Sequence, residues 1–220
     1  MNLLDPVDIY CERLAHGMWE EPLNTLSNVA FFVAAYLLYQ RQRQHTTYAT
    51  YQRQNHAIIA LVVLVGIGST IFHTFANTIG MIADILGIML FVHAYLYLCL
   101  RRLLHWPRLK SLVFIIVLFV MLMLAENIPQ KYSVNGSMAY APCLAVIAWI
   151  WSKTRNQSVL YDSSYRIAGI TFLISLIFRS LDMTVCVALP IGTHLLWHLC
   201  NGVVLYYLSK PLLLSKNSIN

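Results

Sequence analysis

The sequence predicts an all-α membrane protein: a bundle of seven transmembrane helices, N-terminus outside or lumenal, C-terminus cytoplasmic. Three observations predict it. Of 220 residues, 59% are hydrophobic and only 11% charged, where a soluble domain carries about 25% charge; mean hydropathy is +0.63. The apolar residues fall in runs near the length that spans a bilayer, roughly 17–25 residues. The basic residues lie between those runs and sort to alternate sides.

Residues 1–22, "MNLLDPVDIYCERLAHGMWEEP", are acidic and lack the basic n-region of a signal peptide, so they are expected to remain as an outer N-terminal segment. The first span is expected at 24–40 and the second at 56–76, where the run "AIIALVVLVGIGST" ends in "IFHTF". The loop "ANTIG" is brief, so the third span, 79–100, turns straight back. The fourth and fifth, 110–125 and 136–151, are short, and the fifth contains Pro142. The sixth and seventh follow at 166–185 and 189–208. The seventh starts at about Pro190, whose fixed φ suits a first helical turn. Residues 23–209 thus form one transmembrane domain and 210–220 a cytoplasmic tail, with no room for a second, soluble domain.

The net charge of +6 does not indicate nucleic acid, because topology accounts for it. Seven spans place Arg41, Arg43, Arg53, Arg101, Arg102, Arg108, Lys110, Lys153, Arg155, Arg166, Lys210 and Lys216 on one side, and Arg13, Lys131 and Arg179 on the other. The positive-inside rule makes the first side cytoplasmic, and losing one span would scramble the split. Asp5, Asp8, Glu12, Glu20, Glu21, Glu126 and Asp182 gather toward the outer side. Acidic residues contribute little to orientation, so a cation site is one reading of that bias.

Five polar side chains converge on one membrane layer. Ser69 and His73 are one turn apart near the outer end of the second span. Asp84 follows eleven residues later across the tight hairpin, at similar depth. "HLLWH" puts His194 and His198 on one face of the seventh span. Lipid offers such groups no partner, and a carboxylate at this depth costs about 2.5–3.5 kcal/mol on insertion scales. His93, alone in the third span, is read as bonded to a neighbour. Three imidazoles leave one tetrahedral position open on Zn²⁺, the catalytic pattern. Asp84 then suits a general base and proton carrier, and Ser69 a donor to a developing oxyanion.

"GSTIFHTF", Asp84 eleven residues after His73, and "HLLWH" together resemble the alkaline ceramidases, part of a superfamily of seven-helix membrane hydrolases that includes the adiponectin receptors. "CER" and "EPLNTLSN" resemble that family's opening segment, and the likeness runs from about Cys11 to His198. It implies zinc at His73, His194 and His198, proton transfer by Asp84, a stabilising role for Ser69, and hydrolysis of ceramide or a related lipid amide to a fatty acid and a sphingoid base or amine. It further implies calcium at Glu12 and Glu21, with Asp8 or Glu20 as further oxygen donors. Aligned on Cys11, however, Ile9, Arg13 and Leu14 stand where the family has Asp, Glu and Asn. The resemblance pairs Cys11 with Cys186. These are also the two of five cysteines expected at the outer, oxidising side.

The expected partners are the lipid amide and membrane lipids, with no nucleic acid and no protein partner. The expected location is a bacterial inner membrane, or the ER or Golgi membrane in a eukaryote. The alternative function is a receptor-like or lipid-binding protein with a structural metal. A transporter fits less well, since its polar residues would lie at the midplane.

Overall fold

The computed structural model of the chain describes residues 2–15, 17–44 and 49–214. Of the expected tail, residues 215–220 lie outside the described part, as do residues 45–48 of the loop after the first span. The described residues are all-α, with one isolated β-bridge between Pro6 and Asn77. The helices are α1 (Pro22–Ser27), α2 (Val29–Arg43), α3 (Ala49–Phe75), α4 (Thr78–Arg102), α5 (Arg108–Glu126), α6 (Gln130–Ser133), α7 (Ala141–Thr154), α8 (Val159–Val185) and α9 (His194–Leu214).

Five segments are long and apolar enough to cross a membrane: Pro22–Arg43, Tyr51–Phe75, Thr78–Arg102, Arg108–Glu126 and Val159–Val185. The other two expected spans are helical but do not reach that standard. α7 has only 14 residues, entered through a 3₁₀ turn at Ser137–Tyr140, so Pro142 falls harmlessly in its first turn. α9 has 21 residues, but two His, Asn201 and Lys210 dilute its hydropathy. The first span is interrupted at Asn28, where α1 gives way to α2.

Local chemistry sets the boundaries. Asn77 caps α4 by accepting from the Gly80 N–H at 2.9 Å, and Ser158 caps α8 by accepting from Tyr161. α3 and α4 form a close antiparallel hairpin. A Cβ on Gly68 would lie 2.5 Å from the Ala83 carbonyl oxygen, so the residue beside Ser69 must be glycine for α4 to approach. α9 packs on α8 and α2, and fully buried Leu38, Ile58, Leu96, Leu100, Ile150 and Leu212 fill the core. α5 turns Val113, Ile116, Val117 and Leu124 outward, an apolar surface that needs lipid rather than water.

The N-terminal segment lies across one end of the bundle. Val7 N–H donates to Ala76 O at 2.8 Å, Thr78 N–H to Asp5 O at 3.0 Å, and Trp19 N–H to Thr74 O at 3.1 Å. A disulfide joins Cys11 to Cys186 just beyond α8, closing a loop of 175 residues.

Candidate metal centre

Three histidines meet at the end of the bundle that the N-terminal segment covers. His73 comes from the last turn of α3, and His194 and His198 from the first turns of α9. All three are buried. Each offers a ring nitrogen, and the three nitrogens lie within 4.8 Å of one another. The ring centroids of His198 stand 4.6 Å from those of both His73 and His194.

Outer partners fix the rings. His73 Nδ1 lies 2.6 Å from Glu21 Oε2, so its Nδ1–H donates to the carboxylate and Nε2 keeps its lone pair. His198 Nδ1 lies 2.7 Å from Ser27 Oγ and 3.1 Å from Asn24 O. Ser27 spends its own proton on Asn24 O, so His198 Nδ1–H must donate and its Nε2 too is free. His194 stacks under the Tyr10 ring, centroids 3.7 Å apart. His73 Nε2 and His194 Nδ1 are buried with no hydrogen-bond partner among the described residues. Orphaned imidazole nitrogens in a closed site are costly unless an ion takes their lone pairs, so the donor set fits a metal.

Asp182, buried on α8, holds this end together. Its Oδ1 accepts the Thr193 and His194 N–H groups at 2.7 and 2.8 Å, and its Oδ2 accepts Cys11 N–H at 3.0 Å. One carboxylate thereby seats the first ligand of α9 and the N-terminal segment. Gly192 has φ +64°, and a Cβ there would lie 2.2 Å from Asp182 Oδ1; only glycine lets the loop close on that oxygen.

Asp84 and Ser69 line the same cavity as His194 and His198, a space of about 760 Å³ counted out to its mouth. The Ser69 hydroxyl lies beside the Asp84 carboxylate. Away from the histidines the wall turns apolar, with Phe91, Val92, Ile147, Phe172 and Leu208.

Glu12 and Glu21, the two carboxylates that the resemblance gives to calcium, stand close enough to interact, and both bond to Asn24. Among the described residues, the group of three or more His, Cys, Asp or Glu able to share an ion is the histidine trio. Glu12 accepts the Leu23 and Asn24 N–H groups at 2.7 and 2.8 Å, the unpaired donors at the start of α1. Glu21 accepts from Arg13 Nε at 2.9 Å as well as from His73 and Asn24. Arg13 NH1 reaches the Ala15 and Gly17 carbonyls. Burial pushes the Glu12 carboxyl up, against the pull of its two backbone bonds. Burial also works to raise Glu21, but the bonds from His73, Arg13 and Asn24 outweigh it and hold Glu21 below the usual range. Neither Asp8 nor Glu20 joins an acidic cluster among the described residues.

A family model described as Ceramidase matches residues 10–215. The chain belongs to the ceramidase family. A comparison with curated proteins finds no match. Membership supports a hydrolase that acts on amides, and with it a lipid substrate. The matched range takes in Tyr10 at one end and both α9 histidines at the other. Tyr10, Ser27, Asn24 and Asp182 are parts of the site that the sequence does not single out, and Glu21, expected at a calcium ion, holds the His73 ring. The surplus of outer acidic residues is the one signal that points to any of them: Asp182 belongs to it and accepts three backbone N–H groups. His93 does bond locally, Nδ1 to Met89 O at 2.7 Å.

Proposed function

We propose that this ceramidase-family chain is a zinc-dependent intramembrane amidase that cleaves ceramide or a related lipid amide to a fatty acid and a sphingoid base or amine. The observation that carries the reading is the histidine trio: His73 and His194 carry unpaired nitrogens, and His194 and His198 line a cavity that also holds Asp84 and Ser69 and runs into an apolar end. His73, His194 and His198 would hold the metal. Neutral imidazoles in a set of three suit zinc first, and when bound it supplies the Lewis acidity that brings the pKa of a water to about 7.

The protein's own residues do the rest. Hydrolysis adds water oxygen to the acyl carbon, breaks the C–N bond and moves one proton from water to the leaving nitrogen. Asp84 takes that proton on its carboxylate and returns it to the amine. Ser69, beside Asp84, offers its hydroxyl to the carbonyl oxygen as charge develops there. Glu21, Ser27 and Asn24 hold two ligand rings in their tautomers, and the apolar end receives the acyl chain.

Seven spans, with the site end outside or lumenal, belong to this reading. Its support is the twelve basic residues assigned to the opposite end and a disulfide at the site end, where an oxidising compartment would preserve it.

The test is metal content and hydrolysis of a mixed amide-lipid extract by purified protein, with and without chelator. Asp84→Ala should bind zinc and hydrolyse nothing. His194→Ala should lose both. Full turnover by Asp84→Ala would overturn the assignment.

A further inference from the structure

Arg179 is the charged group of the cavity that this chemistry leaves unused. Among the described lining residues, it and Asp84 are the two with a formal charge, histidines aside. It lies on α8 six residues before the helix ends, and a guanidinium within a spanning helix marks a ligand or a pathway by default.

Asp84 supplies an opposite charge at longer range, but no hydrogen bond or ion pair joins the two. NH1 donates to Tyr10 Oη at 3.2 Å. Cζ stands 5.8, 5.4 and 5.3 Å from the ring centroids of Tyr10, Tyr140 and Trp197, which steady a cation without taking its N–H donors. Nε is buried with no acceptor, and none of the ion pairs among the described residues includes Arg179. Its backbone carbonyl is gripped by Asn135 Nδ2 at 2.8 Å. Its NH2 would lie 3.0 Å from a Cβ on Gly136, so the side chain sits between Tyr10 of the N-terminal segment and the turn before Ser137.

A lipid amide whose acyl chain fills the apolar end, with its amide at the histidines, presents its headgroup to Arg179. We propose that Arg179 is a specificity-determining residue that binds an oxyanion, a phosphate or sulfonate, on the headgroup of the substrate. The assignment of that oxyanion to a substrate rests on the amidase reading above. A planar guanidinium whose Nε has no acceptor matches such a group in two-point contact, which an ammonium or hydroxyl headgroup would not use.

The test uses the metal-loaded full chain in nanodiscs of zwitterionic lipid, with a ceramide and its 1-phosphate of identical chains. The wild type should favour the phosphate in kcat/KM by about 10- to 100-fold, the range of a charged hydrogen-bonded contact, mainly through KM. Arg179→Gln should bring the ratio near one. Arg179→Lys, which keeps charge and ring contacts but loses the fork, should retain part of it and serves as the folded control, checked by metal content and melting temperature. No preference in the wild type, or a preference unchanged in Arg179→Gln, overturns the proposal.

A second arm needs no turnover: calorimetric binding of dodecyl phosphate, dodecanoate and inorganic phosphate to wild type and Arg179→Gln. Dodecyl phosphate should bind in an Arg179-dependent way while inorganic phosphate does not, which identifies a lipid headgroup as the source. Tighter Arg179-dependent binding of dodecanoate would reassign the residue to the fatty-acid product and overturn the headgroup role. Arg179-dependent binding of dodecyl phosphate, with neither ceramide hydrolysed by metal-loaded wild type, would sink the amidase reading and leave the oxyanion site standing.

Discussion

His73 and Glu21 lie 52 residues apart in sequence and 2.6 Å apart in space. The pair ties a ligand on a spanning helix to a carboxylate just ahead of the first one, and Arg13 steadies the carboxylate from its other oxygen. Arrangements of this kind orient a ligand ring and raise its basicity.

Glu21→Gln should therefore weaken metal binding by about 10- to 100-fold. The amide can accept one hydrogen bond through its oxygen but carries no charge for Arg13 and His73. Competition against a chelator of known affinity measures it. Unchanged affinity would reduce Glu21 to a packing residue.

Gly68→Ala should cost activity before it costs metal. The new Cβ would sit 2.5 Å from Ala83 O and 3.1 Å from Asp84 Cα, so α4 must move off α3 where Asp84 faces Ser69. Overpacking costs about 1–3 kcal/mol of stability, and a displacement of about 1 Å at reacting groups can cost about 10²-fold in rate. The two ligand-bearing helices, α3 and α9, are not parted by the change. The check is turnover per bound metal; a rate that falls only in step with occupancy would refute it.

Asp182→Asn should destabilise the protein by about 1–3 kcal/mol for each backbone N–H left unpaired. The aspartate serves three such donors, while the asparagine offers one oxygen and a misdirected NH₂. Because His194 N–H is among them, metal affinity should fall too. Denaturation of the metal-free and metal-loaded variant separates the two effects. A variant as stable as wild type in both forms would show that Asp182 pins nothing.

Reducing the Cys11–Cys186 bridge should lower stability by about 2–4 kcal/mol and loosen Tyr10 from His194. Melting temperature and metal affinity, with and without reductant, report both. A reduced protein with unaltered metal affinity would mean that the backbone bonds from Val7 to Trp19 hold the segment alone.

The sequence showed some of this plainly and some of it not at all. Hydropathy located every long helix, because lipid-facing α5 and half-buried α3 must be apolar whatever their partners. His73, His194 and His198 stood out because imidazole is rare in such runs, and the short hairpin loop fixed the depth of Asp84. The bonds of Glu21 to His73 and Arg13 were not legible, because they are set by how the N-terminal segment folds over the bundle, and no local spacing encodes that. Asp182 looked like one more outer acid, since backbone N–H groups leave no trace in residue type. α7 was read as a span from its apolar content, though its regular helix covers only 14 residues.

The orienting carboxylate precedes the first helix, and two of the three ligands open the last. During biosynthesis, then, the emerging chain carries Glu21, His73 and Asp84 into the membrane long before His194 and His198 exist. A nascent or truncated chain that stops short of α9 holds one of the three imidazoles and cannot assemble the proposed centre. Hydrolytic power over the surrounding lipid would thus be withheld until the whole chain is made, and no fragment of it should act alone.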